Sequence, residues 1–521
     1  MEGYKACVGF IVLLCILGTN ADIPCAARPI TGKSVVCVCN ATYCDTITRQ
    51  PPAPGKYVLY VSSQSGLRFN KSSDNLQPLN NTEVECSTAT LVLHPETTYQ
   101  TIQGFGGAAT DAAGINWKNL SEPLQKKLID SYFSDTGLQY SMIRVPIGGT
   151  DFSTHPYAYN ELPINDTKLS NFSLSLEDYQ YKIPMIKASM QASSSPIHVI
   201  ATTWSPPPWM KTNNAYTGYS RLKPEYYQTY ADYHYKFIEK YKSEGIPIWG
   251  ITTTNEPTSG LIGFCNSINC LGWTAANMGS WIVNNLGPTI RNSTFKDLKI
   301  MIGDDQRLTI PYWTNLMVVE NPEVLSYVDG VAVHYYTDFI APASILTEVT
   351  KFYPDKFIIA TEGCEGTFWK EKHHVDLGSW LRAKKYITDI IIDMNHNLIG
   401  WIDWNMCLDI YGGPTYIRNF ADAPIIVFPD KGAFVKQPMF YAMGHFSKFV
   451  PRGSRRISVT HKCRWGKSVW NVAFITPHNT VVVVLYNDGK AGTVNLQLGD
   501  KQAVIAMEAH SAATIEIPYE Q

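Results

Sequence analysis

The sequence lacks an excess of charge of either sign. It contains 43 lysine and arginine residues against 45 aspartate and glutamate residues, which gives a net charge of −2, and it has no basic run or stripe. Proteins that bind nucleic acids neutralise phosphates with a positively charged surface. We therefore expect no nucleic acid among the partners of this chain.

A membrane-spanning run is also missing. The apolar stretch VGFIVLLCIL (8–17) is shorter than the roughly 20 apolar residues that cross a bilayer, and no later segment supplies such a run. Lys5 precedes this stretch and small or polar residues follow it, a pattern typical of a secretory signal peptide. We predict a signal peptide over residues 1–21 and no transmembrane segment.

Metal-binding motifs are absent as well. The sequence has no HxH or HExxH pattern, and His373 and His374 lie in the charged stretch KEKHH (370–374), which indicates a solvated face. We expect neither a metal nor an organic cofactor.

Cysteines crowd near the N-terminus of the mature chain. Four of the 12 cysteines fall within twenty residues, a spacing that is compatible with a zinc site or with a small disulfide knot. Passage through the secretory pathway favours disulfides. Four cysteines allow three pairings, which the sequence leaves open. Among them we expect Cys25–Cys37 with Cys39–Cys44.

Acceptor sequences for N-linked glycans agree with a secretory route. The pattern Asn-x-Ser/Thr marks surface loops of secreted proteins. It occurs at Asn40, Asn70, Asn80, Asn119, Asn165, Asn171 and Asn292.

The middle of the chain alternates apolar strands with helix-compatible segments. This repetition predicts a (β/α)₈ barrel. The eight predicted strands are 101–108, 141–148, 197–204, 249–256, 298–306, 328–336, 357–363 and 398–405. Segments on either side of this region alternate with period two and carry turn residues, which predicts an antiparallel β-sandwich built from both ends of the sequence.

Two of the predicted strands end on a carboxylate. The run WGITTTNEP ends on Asn255-Glu256-Pro257, and FIIATEGC carries Glu362. In parallel barrels the catalytic groups lie where strands end. Glu256 and Glu362 fall on the fourth and seventh strands, which face each other across the barrel mouth. Two facing carboxylates are what a glycosidase requires.

The motifs around these residues identify a family. IRVPIGGTDFS, WSPPPWMKTN, NEPTSG, GDDQRL, ATEGC and GGPTYIRNF occur in an order that resembles the lysosomal acid β-glucosidases of animals. The resemblance extends from about residue 25 to the end of the chain. It implies a retaining β-glucosidase that cleaves glucosylceramide into glucose and ceramide by double displacement.

The resemblance also implies residue roles. Glu256 is expected to be the acid/base and Glu362 the nucleophile. The expected glucose-binding residues are Asp151, Trp204, Asn255, Trp404 and Asn419. The expected supporting residues are Arg144, Gln306, His334 and Tyr336. We expect burial near apolar groups to keep Glu256 protonated.

The family layout predicts three domains in addition to the signal peptide. Residues 22–50 and 406–437 are expected to form a small cysteine-rich sheet, residues 51–98 and 451–521 the sandwich, and residues 99–405 and 438–450 the barrel. The chain departs from the family pattern at Thr150, where relatives have cysteine, and at Cys265, an additional cysteine after Glu256.

The family analogy further predicts the cellular setting. It implies a lysosomal enzyme that meets its lipid at a membrane surface, with a saposin-type activator, anionic lipid and a sorting receptor as partners. Two alternatives remain. One is a related retaining glycosidase for another sugar or aglycone, secreted for digestion. The other is an inactive glycan- or lipid-binding barrel.

Overall fold

The structure is a computed structural model that describes residues 22–79, 89–262, 267–367, 373–463 and 469–519, without the side chain of Cys463. Several predicted features therefore lie outside the described residues. They are the signal peptide (1–21), the acceptor Asn80 and the additional Cys265.

Short strands precede the barrel. They are β1 (Ala27–Pro29), β2 (Val35–Asn40), β3 (Lys56–Ser63), β4 (Asn70–Asn75), β5 (Gln77–Pro78) and β6 (Ala89–Thr101).

Eight parallel strands alternate with helices in the centre of the chain. The first half contains β7 (Gly104–Ala108), α1 (Asp111–Lys118), α2 (Glu122–Phe133), β8 (Met142–Ile147), α3 (Ile183–Ala192), β9 (His198–Thr203), α4 (Tyr227–Ser243) and β10 (Ile248–Thr252). The second half contains α5 (Ala275–Trp281), α6 (Gly287–Arg291), β11 (Lys299–Gln306), α7 (Ile310–Glu320), β12 (Gly330–His334), α8 (Ser344–Phe352), β13 (Phe357–Glu362), α9 (Trp380–Asn395) and β14 (Leu398–Asn405).

Strands dominate again after the barrel, where the described residues also include one α-helix. These elements are β15 (Cys407–Leu408), β16 (Ile425–Phe428), β17 (Ala433–Lys436), α10 (Pro438–Ser447), β18 (Arg455–Cys463), β19 (Val469–Ile475), β20 (Thr480–Asn487), β21 (Gly492–Leu498), β22 (Lys501–Met507) and β23 (Ser511–Pro518).

Strands β7 to β14 close into a barrel, in which β14 pairs with β7 in parallel. The predicted (β/α)₈ barrel is thereby confirmed. Its strands are buried on both faces, which explains why they read as continuous apolar runs rather than as alternating ones. Glycine is needed where β7 meets β8, because a Cβ on Gly106 would lie 1.9 Å from the carbonyl oxygen of Met142.

The remaining strands form two sheets. Ten strands pair in the order β4-β3-β23-β20-β19-β18-β6-β21-β22-β5, so the N-terminal and C-terminal segments share one sheet, which folds around its own apolar cluster. Five strands pair in the order β1-β2-β17-β16-β15. The predicted β-sandwich and small sheet are confirmed, whereas the domain boundaries stay a prediction.

The cysteine knot lies on the small sheet. Cys25 is bonded to Cys37 and Cys39 to Cys44, so the expected pairing is confirmed.

Within the described ranges, no helix combines the length and apolar character needed to cross a membrane.

Candidate active site

The carboxyl ends of the barrel strands are distorted where they carry polar side chains. The pairing of β11 with β12 shifts register between Gly303 and Asp305, and both Gly303 and Asp304 have positive φ, +84° and +53°. Such a bulge re-aims a side chain at a strand end. Here it turns Asp304 into the barrel, where the side chain is fully buried.

Glu362, the last residue of β13, is held by two donors. Arg144 on β8 makes a short ion pair with Oε2, and the Tyr336 hydroxyl donates to Oε1 at 2.8 Å. Both donors were predicted supporting residues. A carboxylate that accepts a hydrogen bond on each oxygen is fixed in its orientation, which suits a nucleophile.

Glu256 follows β10 in a strained backbone conformation. Its φ is +43°, a region that costs a residue with a Cβ about 1–2 kcal/mol. The backbone N–H of Glu256 donates to the carbonyl oxygen of Asp304 at 2.8 Å and secures this conformation. Strain of this kind collects at functional sites.

The side chain of Glu256 faces polar groups. Gln306 Nε2 donates to Oε1 at 2.9 Å, His334 Nδ1 lies 3.1 Å from Oε1, and Ser259 Oγ donates to Oε2 at 3.1 Å. Burial raises the pKa of Glu256, but the hydrogen bond and charge of His334 outweigh it and lower the pKa. The expectation of an apolar environment that keeps Glu256 protonated is therefore wrong.

His334 lies between two carboxylates. Nδ1 faces Glu256 and Nε2 lies 3.1 Å from Asp304 Oδ1. Burial lowers the pKa of the imidazole, but the charge of Glu362 and the bonds to these two carboxylates outweigh it. The pKa of His334 is raised to about 10, so the ring carries a proton on each nitrogen.

Asp304 joins the two halves of the site, and sequence reasoning did not give it a role. Its Oδ2 accepts from Arg144 at 2.9 Å and from Thr252 at 2.7 Å, while Oδ1 accepts from Thr361 at 2.6 Å and contacts His334. Burial raises the pKa of Asp304, but Arg144 and His334 outweigh it and lower the pKa. The available signal was its place in GDDQ, two residues before Gln306, for which a role was predicted.

The two predicted catalytic carboxylates face each other at short range. One oxygen of Glu256, one ring nitrogen of His334 and one oxygen of Glu362 lie within 4.8 Å of one another. The Glu256 side chain is 24% exposed and that of Glu362 is 7% exposed. A substrate that enters from solvent can therefore meet both groups. This donor set resembles a metal site in spacing, but His334 uses both ring nitrogens for carboxylates.

Aromatic side chains form one wall beside Glu362. The rings of Trp204 and Trp404 stack with centroids 5.2 Å apart, and the Arg144 guanidinium lies 4.8 Å and 5.4 Å from their centroids. Arg144 also donates to Asn255 Oδ1 at 2.8 Å. The structure thus brings three of the predicted glucose-binding residues together around one buried arginine.

Asp151 and Asn419, the other two predicted glucose-binding residues, pair directly through a short hydrogen bond from the Asn419 amide. Burial, followed by the charge of Glu362, raises the pKa of Asp151 to about 7. Thr150, at the position where the chain departs from the family, accepts the N–H of Phe152 at 2.9 Å. This contact closes the turn that carries Asp151.

Paired carboxylates at the mouth of a (β/α)₈ barrel, with aromatic and polar groups around them, define a glycoside hydrolase. The chain matches the glycosyl hydrolase family 30 TIM-barrel domain over residues 102–450 and the beta sandwich domain of the same family over residues 453–515. It belongs to glycosyl hydrolase family 30.

Individual relatives agree with this membership. The lysosomal acid glucosylceramidase of Mus musculus is 41% identical over 92% of this chain and 92% of its own length. The endo-1,6-beta-D-glucanase BGN16.3 of Trichoderma harzianum is 26% identical over 74% of this chain and 78% of its own length. SrfJ from Salmonella typhimurium has the same fold, with a TM-score of 0.81 at 24% identity, and the match covers 89% of this chain and 100% of SrfJ.

Proposed function

We propose that this chain is a retaining β-glucosidase that hydrolyses glucosylceramide to glucose and ceramide. The observation that carries the retaining mechanism is the spacing of Glu256 and Glu362, whose oxygens lie within 4.8 Å. Retaining enzymes hold their carboxyl groups about 5–5.5 Å apart, whereas inverting enzymes leave about 6.5–9.5 Å for a water molecule.

In the first step a Glu362 oxygen attacks the anomeric carbon and the bond from that carbon to the glycosidic oxygen breaks. Glu256 delivers a proton to the departing oxygen, and ceramide leaves as a neutral alcohol. In the second step Glu256 takes a proton from water, the resulting hydroxide attacks the anomeric carbon, and Glu362 leaves as a carboxylate. Two inversions give net retention.

The proton of the first step belongs to the pair formed by Glu256 and His334. Because the protonated His334 lowers the pKa of Glu256, the proton that Glu256 delivers is the one it receives from His334 Nδ1, 3.1 Å away. The transfer leaves His334 neutral and Glu256 as a carboxylate that can take a proton from water in the second step. The positively charged histidine is thus a reserve of the acid. Asp304 holds the other ring nitrogen and keeps the imidazole oriented.

The substrate class rests on the sequence similarity. A relative named lysosomal acid glucosylceramidase aligns along 92% of this chain at 41% identity. Of the predicted glucose-binding residues, Trp204, Asn255 and Trp404 contact Arg144, which in turn binds Glu362. The other two, Asp151 and Asn419, pair with each other. The same similarity supports a lysosomal location, with the lipid met at a membrane surface and with a saposin-type activator, anionic lipid and a sorting receptor as partners.

Covalent trapping tests the mechanism. The protein is incubated at mildly acidic pH with a β-glucose-configured cyclitol epoxide, and the labelled peptide is identified by mass spectrometry. We expect one adduct, on Glu362, and none in Glu362→Gln. Proton NMR of the first-formed product should show β-glucose. An adduct on another residue, or α-glucose formed first, would contradict the retaining assignment.

Vesicle assays test the substrate. Glucosylceramide is presented in vesicles with and without anionic lipid, beside a soluble β-1,6-glucan. Faster release of glucose from the lipid supports the proposal. Hydrolysis of the glucan with no turnover of the lipid favours the related glycosidase instead. The Trichoderma relative is named as an enzyme of that kind, an endo-1,6-beta-D-glucanase.

A further inference from the structure

A cavity of about 510 Å³ lies where the barrel meets the sandwich. Its lining comes from the end of α10 and the segment after it, from the turns after α2 and α3, from the segment before β3 and from the turn between β19 and β20. The volume falls in the range of about 300–1,000 Å³ that is typical of small-molecule sites. We call this space the junction cavity and define it by Arg49, Asp135, Ser194, Ser447, Lys448 and Arg452.

The junction cavity lies at the end of the barrel opposite to the strand ends that carry the two proposed catalytic carboxylates. Arg452 marks this end, because it donates at 2.8 Å to the carbonyl oxygens of Gln103, Ser141 and Pro196. These residues precede β7, β8 and β9. A molecule in the junction cavity would therefore touch none of the groups around Glu362.

Two cations of the junction cavity bind carbonyl oxygens and no carboxylate of the described residues. Lys448 is 2% exposed, and its Nζ donates to the carbonyl oxygen of Asp135 at 2.6 Å. An ammonium has three N–H donors, and in the described part of the chain this carbonyl is the one acceptor that Lys448 has. Burial lowers the pKa of Lys448 to about 8, and the charge of Asp22, which is paired with Lys71 at 2.8 Å, offsets this only in part. Arg452 contributes the second positive charge.

The other charged groups leave this excess in place. Arg49 makes a short ion pair with Glu516, which is buried. Burial and the charge of Arg49 lower the pKa of His478, so this ring adds no positive charge near neutral pH. Asp135 is exposed at the rim, where its carboxylate accepts the Ser194 hydroxyl at 2.6 Å. Two cations thus face one carboxylate, and a charge that is buried without an opposite partner is unfavourable.

Hydroxyl groups accompany these cations. The Ser447 hydroxyl is buried beside Lys448, and among the described residues it has no hydrogen-bond partner. The three consecutive serines 193–195 line the opposite side. Ammonium, guanidinium and hydroxyl groups around an enclosed space are the donors that bind the oxygens of phosphate and sulfate groups.

The junction cavity also has an apolar side. Phe133, Tyr140, Pro451 and Pro477 contribute to its wall. A bare phosphate ion would fill only a small part of the volume. The ligand that matches both the donors and the apolar wall is therefore an organic molecule that carries an oxyanion.

We propose that the junction cavity binds a small soluble molecule through a phosphate or sulfate group, with Lys448 and Ser447 as its donors and Arg452 as a second charge. The mouth is the end of the barrel that receives the lipid in the proposed function, so a site at the opposite end favours a soluble ligand over a lipid headgroup. The inference goes beyond the proposed β-glucosidase function and does not depend on it.

Inorganic phosphate is the probe for the site. Equilibrium dialysis of the full chain against radiolabelled phosphate, at pH 6 and constant ionic strength, measures Kd while Lys448 is protonated. We expect saturable binding of a single phosphate per chain. Because a ligand of the folded state stabilises it, Tm should rise by about 1 °C for each tenfold increase in phosphate above Kd, relative to chloride at the same ionic strength.

Charge variants locate the phosphate. Lys448→Met keeps the apolar stem and removes the ammonium, so Kd should rise at least about tenfold. Asp135→Asn removes the facing negative charge and keeps an oxygen for Ser194, so Kd should fall about threefold. Lys240→Met and Asp297→Asn change exposed residues outside the junction cavity and are the matched controls. Both controls should bind phosphate with the Kd of the wild type.

Two further measurements complete the test. Ser447→Ala removes a donor without a change of charge, and it replaces Lys448→Met if that variant does not fold; its Kd should rise about threefold or more. Cosedimentation with vesicles of phosphatidylcholine and phosphatidic acid tests a lipid headgroup as the source of the phosphate. We expect the wild type and Lys448→Met to bind these vesicles equally.

Three outcomes would overturn the inference. The first is a folded wild type that shows no saturable phosphate binding. The second is a Kd that Lys448→Met, Ser447→Ala and Asp135→Asn all leave unchanged, which would show an adventitious ion only. The third is loss of vesicle binding in Lys448→Met, which would assign the junction cavity to a lipid headgroup. A wild type that binds phosphate as expected but hydrolyses no β-glucoside would refute the proposed function alone.

Discussion

Replacement of Arg144 by lysine should disable the site while preserving its net charge. The guanidinium is fully buried and divides its N–H groups among Glu362, Asp304 at 2.9 Å and Asn255 at 2.8 Å. Its central carbon also lies 4.8 Å from the ring centroid of Trp204 and 5.4 Å from that of Trp404. A lysine ammonium is a point charge that cannot reproduce this planar fork, so in Arg144→Lys it retains one carboxylate and loses the other contacts.

The size of the effect follows from these contacts. A hydrogen bond to a charged group contributes about 1.5–3 kcal/mol. Loss of two such bonds therefore costs about 3 kcal/mol or more. At about 1.4 kcal/mol for each factor of ten, kcat/KM should fall by at least about 10²-fold. Because Arg144 contacts Glu362, the proposed nucleophile, aryl glucosides with good and poor leaving groups should lose the same factor.

The assay is steady-state hydrolysis of two aryl β-glucosides, combined with thermal unfolding. Arg452→Lys is the matched control, because Arg452 donates at 2.8 Å to the carbonyl oxygens of Gln103, Ser141 and Pro196 at the opposite end of the barrel. We expect the control to lower Tm without changing kcat/KM. A folded Arg144→Lys protein whose kcat/KM stays within about threefold of the wild type would refute the reasoning.

Four further predictions concern the same site and the surface. Glu256→Gln should reduce kcat/KM by about 10²–10⁴-fold for a poor leaving group but far less for 2,4-dinitrophenolate, and equal losses would contradict its role as the acid. The pKa of Asp151 is raised to about 7, so the Tm of the wild type should fall as pH rises from 5 to 8. The Tm of Asp151→Asn should fall less over the same range, and parallel curves of Tm against pH would contradict the prediction. Nitrogen-15 NMR should find the pKa of His334 falling from about 10 toward an ordinary value once a 2-fluoroglucosyl ester occupies Glu362, whereas an unchanged value would show that Glu362 does not sustain it. Enzymatic deglycosylation in ¹⁸O-labelled water should label each acceptor that carries a glycan with ¹⁸O. The exposed acceptors are Asn40, Asn70, Asn119, Asn165, Asn171 and Asn292. Unlabelled peptides would identify acceptors that carry no glycan.

The sequence was enough to predict the barrel and the strands that carry both carboxylates, because parallel strands buried on two faces leave a strong apolar signal. Strand β14 spans 398–405 as predicted. The strand before Glu256 is shorter than predicted, since β10 ends at Thr252. Residues 253–256 leave the regular ladder because Glu256 takes a positive φ, which no period in the sequence reveals.

Asp304 shows why other parts of the site escaped prediction. In the regular alternation of a strand, consecutive side chains point to opposite faces, so GDDQ alone does not tell which acid enters the barrel. The bulge between Gly303 and Asp305 decides which of the two side chains enters the barrel. The bulge depends on pairing with β12, so the local sequence does not reveal it. The polar surroundings of Glu256 escaped for the same reason, since Ser259 and His334 meet it only in the folded chain.

In the proposed mechanism, the charges of the site allow Glu256 to serve first as acid and then as base. In the free enzyme Glu362 and Glu256 are negative and His334 is positive, a sum of −1. The charge of Glu362 is the largest of the contributions that raise the pKa of His334. Formation of the glucosyl ester removes that charge at the moment when a proton is needed at the leaving oxygen. His334 then releases its proton through Glu256 and becomes neutral, and Glu256 is left as a carboxylate, so the sum is again −1. We infer that formation of the bond to Glu362 lowers the pKa of His334, and that Glu256 is already in its basic form when water arrives.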